Sequence, residues 1–293
     1  MKLGIGTDQF GLDYGFANRT GKASREHVVK ILYAAARSGV DVIDTAPSYG
    51  SSEQTLGEIL PAGHAFRLVT KTVPFDRSRS GRQYATEVKS GFRNSLRRLR
   101  MERTYALLVH HAPALLSAGA DDLMRALEDL KAEGSVTRIG VSVYHPRELE
   151  MILDRFTIDL VQLPFNLYDQ RFAQAGWLTR LRQGGVEVHA RSVFLQGLLL
   201  MPPERLPEQF RKIAAHHERL HRQIAEAGLS PLAACLSFCL EQADVDQVIV
   251  GCEVVEQFND ILDTTQNGHS RLTDTRGYSV SDESIINPSR WSE

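Results

Sequence analysis

The sequence predicts a parallel (β/α)8 barrel, the TIM-barrel architecture, folded as a single domain. Short apolar strand patterns alternate with amphipathic helical patterns about eight times along the 293 residues, which favours a closed barrel over an open sheet. Such a barrel has about 250 residues and normally stays one domain, and 42% apolar residues supply its core. We predict the barrel over residues 1–263 and a polar C-terminal tail, packed on or near it, over residues 264–293.

The predicted strands are short apolar runs, several of which end in a polar residue. The first alternates glycine with apolar residues and ends at Asp8 and Gln9. The eight strands are predicted at residues 3–10, 40–44, 66–71, 105–110, 138–143, 160–165, 186–192 and 247–251. The carboxyl ends of the strands in a parallel barrel share one face, where the chemistry takes place. Polar residues at these ends are therefore candidate site residues.

The predicted helices carry apolar residues at helical spacing and stop at glycine or at a turn. The first, for example, has Val28, Ile31 and Leu32 on one side and is followed by Gly39. Helices are predicted at residues 25–38, 52–60, 83–99, 121–133, 146–154, 173–183, 204–227, 231–242 and 255–262. Because they fall between strands, they are expected to wrap the barrel.

Two clusters of histidine and cysteine are interpreted as structural. His216, His217 and His221 lie on one polar helix among charged residues, and we expect a solvated face rather than a metal site. Cys235 and Cys239 are four residues apart on an apolar helix and are expected to pack in the core. We predict no metal site.

The composition and net charge of the chain limit the kinds of molecule that it is expected to bind. Thirty-four basic and thirty-six acidic residues leave a net charge of -2, which provides no field for nucleic acid or an anionic membrane. Glycines interrupt the N-terminus too early for a signal peptide, and no apolar run reaches the roughly 18 residues of a membrane span. An odd count of three cysteines suits a reducing compartment. We predict a cytoplasmic monomer or small homo-oligomer with a small-molecule substrate.

The stretch over residues 40–60 carries the main chemical signal. Asp44 ends an apolar strand, and Tyr49 follows in a turn punctuated by Pro47 and Gly50. Lys71 ends the next predicted strand. A histidine ends the strand after that, so four polar groups arrive at the ends of three successive strands.

This stretch resembles the active-site loop of the aldo-keto reductases, in a bacterial branch with a divergent cofactor-phosphate loop. The motif D-x-A-x-x-Y-G, with S-E-x-x-L-G behind it, carries the resemblance. It implies a catalytic set of Asp44, Tyr49, Lys71 and His110, in which Tyr49 is the general acid/base. The implied reaction transfers a hydride between a nicotinamide cofactor and an aldehyde, ketone or sugar-like substrate.

The implied roles have a physical basis. The unperturbed pKa of tyrosine, about 10, is too high for easy proton release. A nearby ammonium, here Lys71, would lower the pKa of Tyr49, and Asp44 would hold the lysine charged and in place. His110 would be a neutral donor that orients the carbonyl. His111 stays open as the alternative, because His111-Ala112-Pro113 imitates the family's H-x-P.

The resemblance also implies a cofactor site on the later strands. Ile139-Gly140-Val141-Ser142 is similar to the family's I-G-V-S-N, with valine in place of the asparagine. Arg191 stands where the family often has an aromatic ring that stacks on the nicotinamide, and a guanidinium can stack or bind an anion there. The implied cofactor-binding residues are Ser142, Gln162, Arg191, Ser192, Gly251, Glu253 and Gln257.

The loop after the last strand leaves the choice of cofactor open. The family default is NADPH, whose 2′-phosphate needs a cation. In the run from Gly251 to Gln257 no cation occurs, whereas Glu253 would repel a 2′-phosphate and could accept a hydrogen bond from a free 2′-hydroxyl. NADPH is expected on family grounds, and NADH is a close alternative.

Two other classes of function remain open. A nucleotide-binding redox sensor or regulatory protein on the same fold would turn over little substrate. A metal-dependent barrel hydrolase could use Asp44, His110, His111 and His189.

Overall fold

The computed structural model describes residues 1–266 and 272–291. Eight parallel strands close into a barrel in sequence order, β1 beside β2 and so on, with β8 returning to β1. The strands are β1 Leu3–Gly6, β2 Val42–Asp44, β3 Arg67–Lys71, β4 Thr104–Val109, β5 Val136–Ser142, β6 Leu160–Pro164, β7 Glu187–Arg191 and β8 Gln247–Gly251. The predicted (β/α)8 barrel is confirmed.

Helices lie between the strands and cover the barrel. They are α1 Asp8–Gly11, α2 Arg25–Arg37, α3 Ser52–Ile59, α4 Gly81–Leu99, α5 Ala120–Ala132, α6 Pro146–Leu153, α7 Arg171–Gln174, α8 Trp177–Gln183, α9 Ala214–Glu226, α10 Pro231–Leu240, α11 Val255–Gln266 and α12 Glu283–Ile286. Short 3₁₀ segments occur at Ala112–Leu116, Leu198–Leu200, Pro203–Arg205, Glu208–Ile213, Thr275–Tyr278 and Pro288–Arg290. The apolar faces of the helices pack against apolar residues of the strands and form the core.

The first strand is shorter than predicted. It ends at Gly6, because both the backbone N–H and the hydroxyl of Thr7 bind the carbonyl oxygen of Asp44, at 3.0 and 2.9 Å. The chain then turns into the short helix α1. A Cβ on Gly11 would lie 1.8 Å from the carbonyl oxygen of Tyr49, so only glycine permits this approach. The helix is thereby held against the loop that carries Tyr49.

The long helix predicted at residues 204–227 begins at Ala214, ten residues later than predicted. Pro203 directly precedes the predicted helix and Pro207 lies inside it, and the chain forms two 3₁₀ turns before α9. Proline lacks the N–H that a helix needs and restricts the residue before it. In the same way, Gly176 at φ 74° separates α7 from α8.

The histidines of α9 do not form a solvated face. His217 is fully buried, on the same side as Leu220 and Ile224. Its Nδ1 lies 2.8 Å from the hydroxyl of Tyr168, and its Nε2 lies 2.8 Å from the carbonyl oxygen of Met201. Burial lowers the pKa of His217 to about 4. The prediction treated this histidine as a polar surface residue, whereas it packs as a neutral ring.

The C-terminal residues pack on the barrel. Tyr278, Ile285 and Ile286 are buried in a second apolar cluster with residues of the β6 and β7 loops. The ring of Trp291 packs edge-on against Phe16, with centroids 5.8 Å apart. The described tail therefore contacts the loop that follows β1.

The N-terminal end of the barrel is closed by an ionic network. Tyr105 donates a 2.5 Å hydrogen bond to Glu187, and the guanidinium of Arg138 contacts both side chains, at 2.9 and 3.1 Å. Arg67 stacks on the same tyrosine ring at 4.8 Å and forms two hydrogen bonds to Asp41. We refer to these five residues as the floor of the barrel.

Within the described ranges, no single helix combines the length and apolar composition that a bilayer span requires. One bent pair, Glu208–Glu226 with Pro231–Leu240 at 89°, meets the criterion only when both members are counted together, by length and composition alone.

Candidate active site

A cavity of about 590 Å³ opens at the C-terminal mouth of the barrel. It is bounded by the ends of the strands and by the loops that follow β1 and β7. The polar strand ends predicted from sequence therefore meet in one place. The cavity is large enough for a small ligand.

A buried lysine joins two of the predicted residues. Lys71, the last residue of β3, is 1% exposed, and its Nζ lies 2.5 Å from Oδ1 of Asp44. The same Nζ donates to the carbonyl oxygen of Thr45 at 3.0 Å and to the hydroxyl oxygen of Tyr49 at 3.1 Å. An ammonium has three N–H donors, and all three have acceptors here. The lysine is thus fixed between a carboxylate and a phenol.

His110 lies at the edge of the same group. Its ring centroid is 6.0 Å from that of Tyr49, edge-on, and its Nδ1 is 3.4 Å from the hydroxyl of Ser48. Burial and the nearby charges of Lys71 and Arg191 lower the pKa of His110 to about 3. The ring is therefore neutral at physiological pH. His111 is exposed and does not line the cavity, so the geometry favours His110 of the two.

The electrostatics of Tyr49 differ from the expectation. The pKa of Tyr49 lies well above its usual value, first because the hydroxyl is buried and then because Asp8 and Asp44 are close. The sequence argument counted the ammonium and not these two effects. In the free protein Tyr49 is a neutral phenol.

Asp8 was noted as an end of the first predicted strand but was given no role, and the structure places it on the cavity wall with Tyr49. The residue is half-buried and lines the cavity together with Tyr49. Burial raises the pKa of Asp8 to about 6. The signal that could have found it is its position after the first strand, since every other strand end was considered for this reason.

Gln162 and Ser142 form a polar wall on neighbouring strands. They are paired in register between β5 and β6, and both are buried. The Nε2 of Gln162 donates to Oδ2 of Asp44 at 2.8 Å, whereas its Oε1 is buried and has no protein partner. The carboxamide of a nicotinamide carries N–H groups that can donate a hydrogen bond to this oxygen. The wall therefore fits the cofactor that the sequence implies.

Arg191 is held flat at the end of β7. Its guanidinium carbon lies 4.1 Å from the ring centroid of Tyr144. It also donates to the carbonyl oxygen of Val143 at 3.1 Å and to the hydroxyls of Ser192 and Ser142, at 3.1 and 3.4 Å. The guanidinium is thus fixed at the cavity wall without a carboxylate partner among the described contacts.

The loop that follows β7 is strained and clasped to the loop after β1. Ser192, Leu195 and Gln196 have positive φ angles of 59°, 49° and 52°, a conformation that costs about 1–3 kcal/mol for each non-glycine residue. The side chain of Gln196 accepts from the N–H of Phe16 at 3.2 Å and donates to the hydroxyl of Tyr14 at 3.0 Å. The two loops together cover one side of the cavity.

The far end of the cavity is acidic. The side chain of Gln257 accepts from the N–H of Glu253 at 2.9 Å and donates to its carboxylate at 2.6 Å. Asp260 and Gly251 also line this end. Among the described residues that line the cavity, Arg191 is the only lysine or arginine.

The residues of the metal-hydrolase alternative do not come together. Asp44 is bound by Lys71 and Gln162, and the Nε2 of His189 lies 2.9 Å from Glu187. His111 faces outward. Over residues 1–266 and 272–291, no three histidine, cysteine or acidic side chains are grouped as a metal would require.

Comparison with known proteins gives consistent similarities. Residues 2–271 match the profile described as "Aldo/keto reductase family". The chain is 25% identical over 252 residues to the uncharacterized oxidoreductase YqkF of Bacillus subtilis (strain 168), covering 80% of this chain and 81% of that protein. It is 26% identical over 216 residues to the NADH-specific methylglyoxal reductase of Escherichia coli (strain K12), covering 68% and 65%. The holo form of aldo-keto reductase AKR11C1 from Bacillus halodurans has the same fold, with a TM-score of 0.76, 21% identity, and coverage of 99% of this chain and 95% of that one.

Proposed function

Because this chain belongs to the aldo/keto reductase family, whose members are NAD(P)H-dependent oxidoreductases, we propose that Tyr49 is its general acid/base. The substrate class is a small aldehyde, ketone or sugar-like carbonyl, or the corresponding alcohol. One observation carries this proposal: a single buried ammonium, Lys71, contacts both the carboxylate of Asp44 and the hydroxyl oxygen of Tyr49. The contact lies at the wall of the cavity that the substrate would enter.

The contacts support a separate task for each side chain. Since an ammonium can only donate, the bond from Lys71 occupies a lone pair of the Tyr49 oxygen and leaves the phenolic proton free to point elsewhere. The same positive charge stabilises the phenolate that remains when this proton is given away. Asp44 keeps the lysine in position. His110, which is neutral, can donate a hydrogen bond to the substrate oxygen as charge develops on it.

The nicotinamide cofactor, when bound, supplies or accepts the hydride. Gln162 and Ser142 would hold its carboxamide, since Oε1 of Gln162 is a buried acceptor without a partner. Arg191 and Ser192 would bind an anionic part of the nucleotide, because the guanidinium lies at the wall and contacts no carboxylate of the described residues. Gly251, Glu253 and Gln257 line the far end, where the adenosine half would extend.

We propose NADH as the preferred form, with NADPH, the family default, as the alternative. Glu253 is fixed by Gln257, and Asp260 lines the same end of the cavity. A 2′-phosphate there would meet carboxylates and no cation among the described lining residues. Its negative charge would be disfavoured, whereas a free 2′-hydroxyl could donate to Glu253.

Titration of the protein with each nucleotide, followed by quenching of tryptophan fluorescence, tests this preference. We expect NADH to bind about tenfold or more tightly than NADPH, a difference of about 1.4 kcal/mol. Glu253→Lys should reverse the order, because it replaces a repulsive charge with an attractive one. Asp263→Lys, the same change at an exposed position of α11 outside the cavity, should leave the ratio unchanged. Tighter binding of NADPH by the unaltered protein would contradict the proposal.

The rest of the biological setting follows from the same features. The three cysteines are free and buried, and the net charge of -2 is small. We propose a cytoplasmic enzyme, a monomer or small homo-oligomer, that acts on small molecules rather than on nucleic acid or membranes. A redox sensor on the same fold would instead bind nucleotide and show only background turnover across a panel of aldehydes and alcohols.

A further inference from the structure

Asp8 is held at the reaction centre by the backbone around it. Thr7, the residue before it, is bound twice to the carbonyl oxygen of Asp44. Gly11, three residues after it, lies against the backbone of Tyr49. The ends of α1 are therefore tied to β2 and to the Tyr49 loop. These contacts hold the backbone of Asp8 against the loop that carries Tyr49, and both side chains line the cavity.

The direction of the phenolic proton follows from the donors around it. Lys71 donates to the oxygen of Tyr49 at 3.1 Å, so the phenolic O–H must find its acceptor on another side. Asp8 lines the same cavity as Tyr49, and its carboxylate is the acceptor that we assign to this proton. With this assignment, the donors run from Lys71 to Tyr49 and from Tyr49 to Asp8 at the cavity wall.

Asp8 is also the carboxylate of this group that has no other strong partner. Asp44 already accepts from Lys71 at 2.5 Å and from Gln162 at 2.8 Å. No hydrogen bond or ion pair with a cation is formed by the carboxyl of Asp8 among the described residues. A proton arriving at Asp8 would therefore displace no salt bridge.

We propose that Asp8 is the proton-relay partner of Tyr49 within the oxidoreductase function proposed above, and that it acts through that tyrosine. In carbonyl reduction, the carbonyl carbon would receive the hydride that a bound dihydronicotinamide supplies, and Tyr49 gives its phenolic proton to the oxygen that takes up the carbonyl π pair. Tyr49 recovers a proton from the carboxylic acid of Asp8, whose O–H electrons remain on the carboxylate. In alcohol oxidation every transfer is reversed, and the proton lost by the alcohol ends on Asp8.

The groups around Asp8 determine how the relay depends on pH. From β2 and β3 it faces Asp44 and Lys71, from the β2 loop Tyr49, and from its own loop Tyr14. Arg191, on β7, faces the two tyrosines. Burial and Asp44 raise the pKa of Asp8, whereas Lys71 lowers it, and the resulting pKa is about 6. The pKa of His110, about 3, and that of Tyr49, well above 10, lie far from this value.

The pH dependence of each reaction direction follows from the protonation state of Asp8 that this direction requires. Oxidation needs the carboxylate, so its kcat/KM should fall about tenfold per pH unit below about pH 6. Reduction needs the carboxylic acid, so its kcat/KM should fall by the same factor above about pH 6. The ratio of the two then varies in proportion to proton concentration, as the overall equilibrium requires.

The test uses Asp8→Asn, with Asp8→Glu as the conservative variant and Asp13→Asn as the matched control. Asp13 is exposed in the same loop and does not line the cavity. Single-turnover rates in both directions are measured from about pH 5 to 9 with saturating nucleotide. We expect the rate of Asp8→Asn to be about 10²-fold lower near pH 7. Its pH–rate profile should also lack the limb near pH 6, that is, the change in slope caused by titration of Asp8. Asp8→Glu should retain a limb, and Asp13→Asn should match the unaltered protein.

A second measurement does not depend on turnover. Carbon-13 NMR of the aspartate carboxyls in the free protein should show one resonance that titrates near pH 6 and is absent from Asp8→Asn. If no such resonance exists, or if Asp8→Asn keeps the limb, the relay is refuted. A loss confined to substrates with a hydroxyl beside the carbonyl, with the limb unchanged, would also refute it and make Asp8 a substrate-binding residue. Failure of the proposed function has a different signature, namely no turnover in the unaltered protein while the carboxyl still titrates.

Discussion

Replacing Tyr49 with phenylalanine is expected to slow carbonyl reduction by about 10³-fold while leaving nucleotide affinity unchanged. The substitution removes only the hydroxyl, and general acid catalysis by a positioned side chain contributes about 10²–10⁴-fold. The aromatic ring keeps its contacts, since it lies 4.7 Å from Nζ of Lys71 and edge-on to His110. Single-turnover reduction with saturating nucleotide measures the rate, and fluorescence titration measures the affinity.

The control for this variant is Tyr33→Phe, which makes the same chemical change on α2, where the side chain is 63% exposed. Its rate should equal that of the unaltered protein. Turnover by Tyr49→Phe within about tenfold of the unaltered rate would remove this residue as the acid. A loss of nucleotide affinity in the same variant would indicate that the hydroxyl also contributes to nucleotide binding, and the slower rate would then not measure proton transfer alone.

Replacing Lys71 with methionine is expected to lower both activity and stability. The side chain of Asp44 is 4% exposed, and the variant would leave it as a buried carboxylate with only the amide of Gln162 as a partner. Breaking a buried ion pair in this way costs about 3–5 kcal/mol. The rate should fall at least as far as in Tyr49→Phe, because the phenolate also loses its nearest positive charge. Urea unfolding measures the stability, and the same single-turnover assay measures the rate.

The double variant Asp44→Asn/Lys71→Met separates the two losses. It removes both charges, so most of the stability should return, whereas the rate should stay low. Lys30→Met provides the comparison with an exposed i,i+4 ion pair to Glu26, and it should unfold like the unaltered protein. If the double variant were as unstable as Lys71→Met alone, the uncompensated carboxylate would not be the cause of the instability.

Much of the active-site layout could be predicted because strand ends in a parallel barrel converge. Asp44 and Lys71 are the last residues of their strands, and His110 immediately follows the end of β4. Apolar runs therefore marked these positions without knowledge of the packing. Asp8 was missed because its strand was predicted to continue for four more residues, which hid the turn made by Thr7. A bond between distant backbone and side-chain atoms, such as that from Thr7 to Asp44, leaves no local pattern in a sequence.

The electrostatics were harder to predict than the positions. The family resemblance implied that Lys71 would approach Tyr49, and this lysine alone would lower the pKa of the phenol. Burial and a second carboxylate act in the opposite direction, and both depend on packing by several strands at once. His217 is a similar case, because a histidine among charged neighbours was interpreted as exposed, although its own side of α9 is apolar.

The floor of the barrel has a consequence for exchange with solvent. Arg67, Tyr105, Arg138 and Glu187 close the end opposite the cavity, and apolar side chains of the strands fill the layer above them. Among the described residues, the cavity at the mouth is the route by which both solvent and a ligand reach the phenol. We therefore expect a ligand bound in the mouth to block hydrogen exchange at the phenol. A deuterium on the phenolic oxygen would be retained until that ligand dissociates.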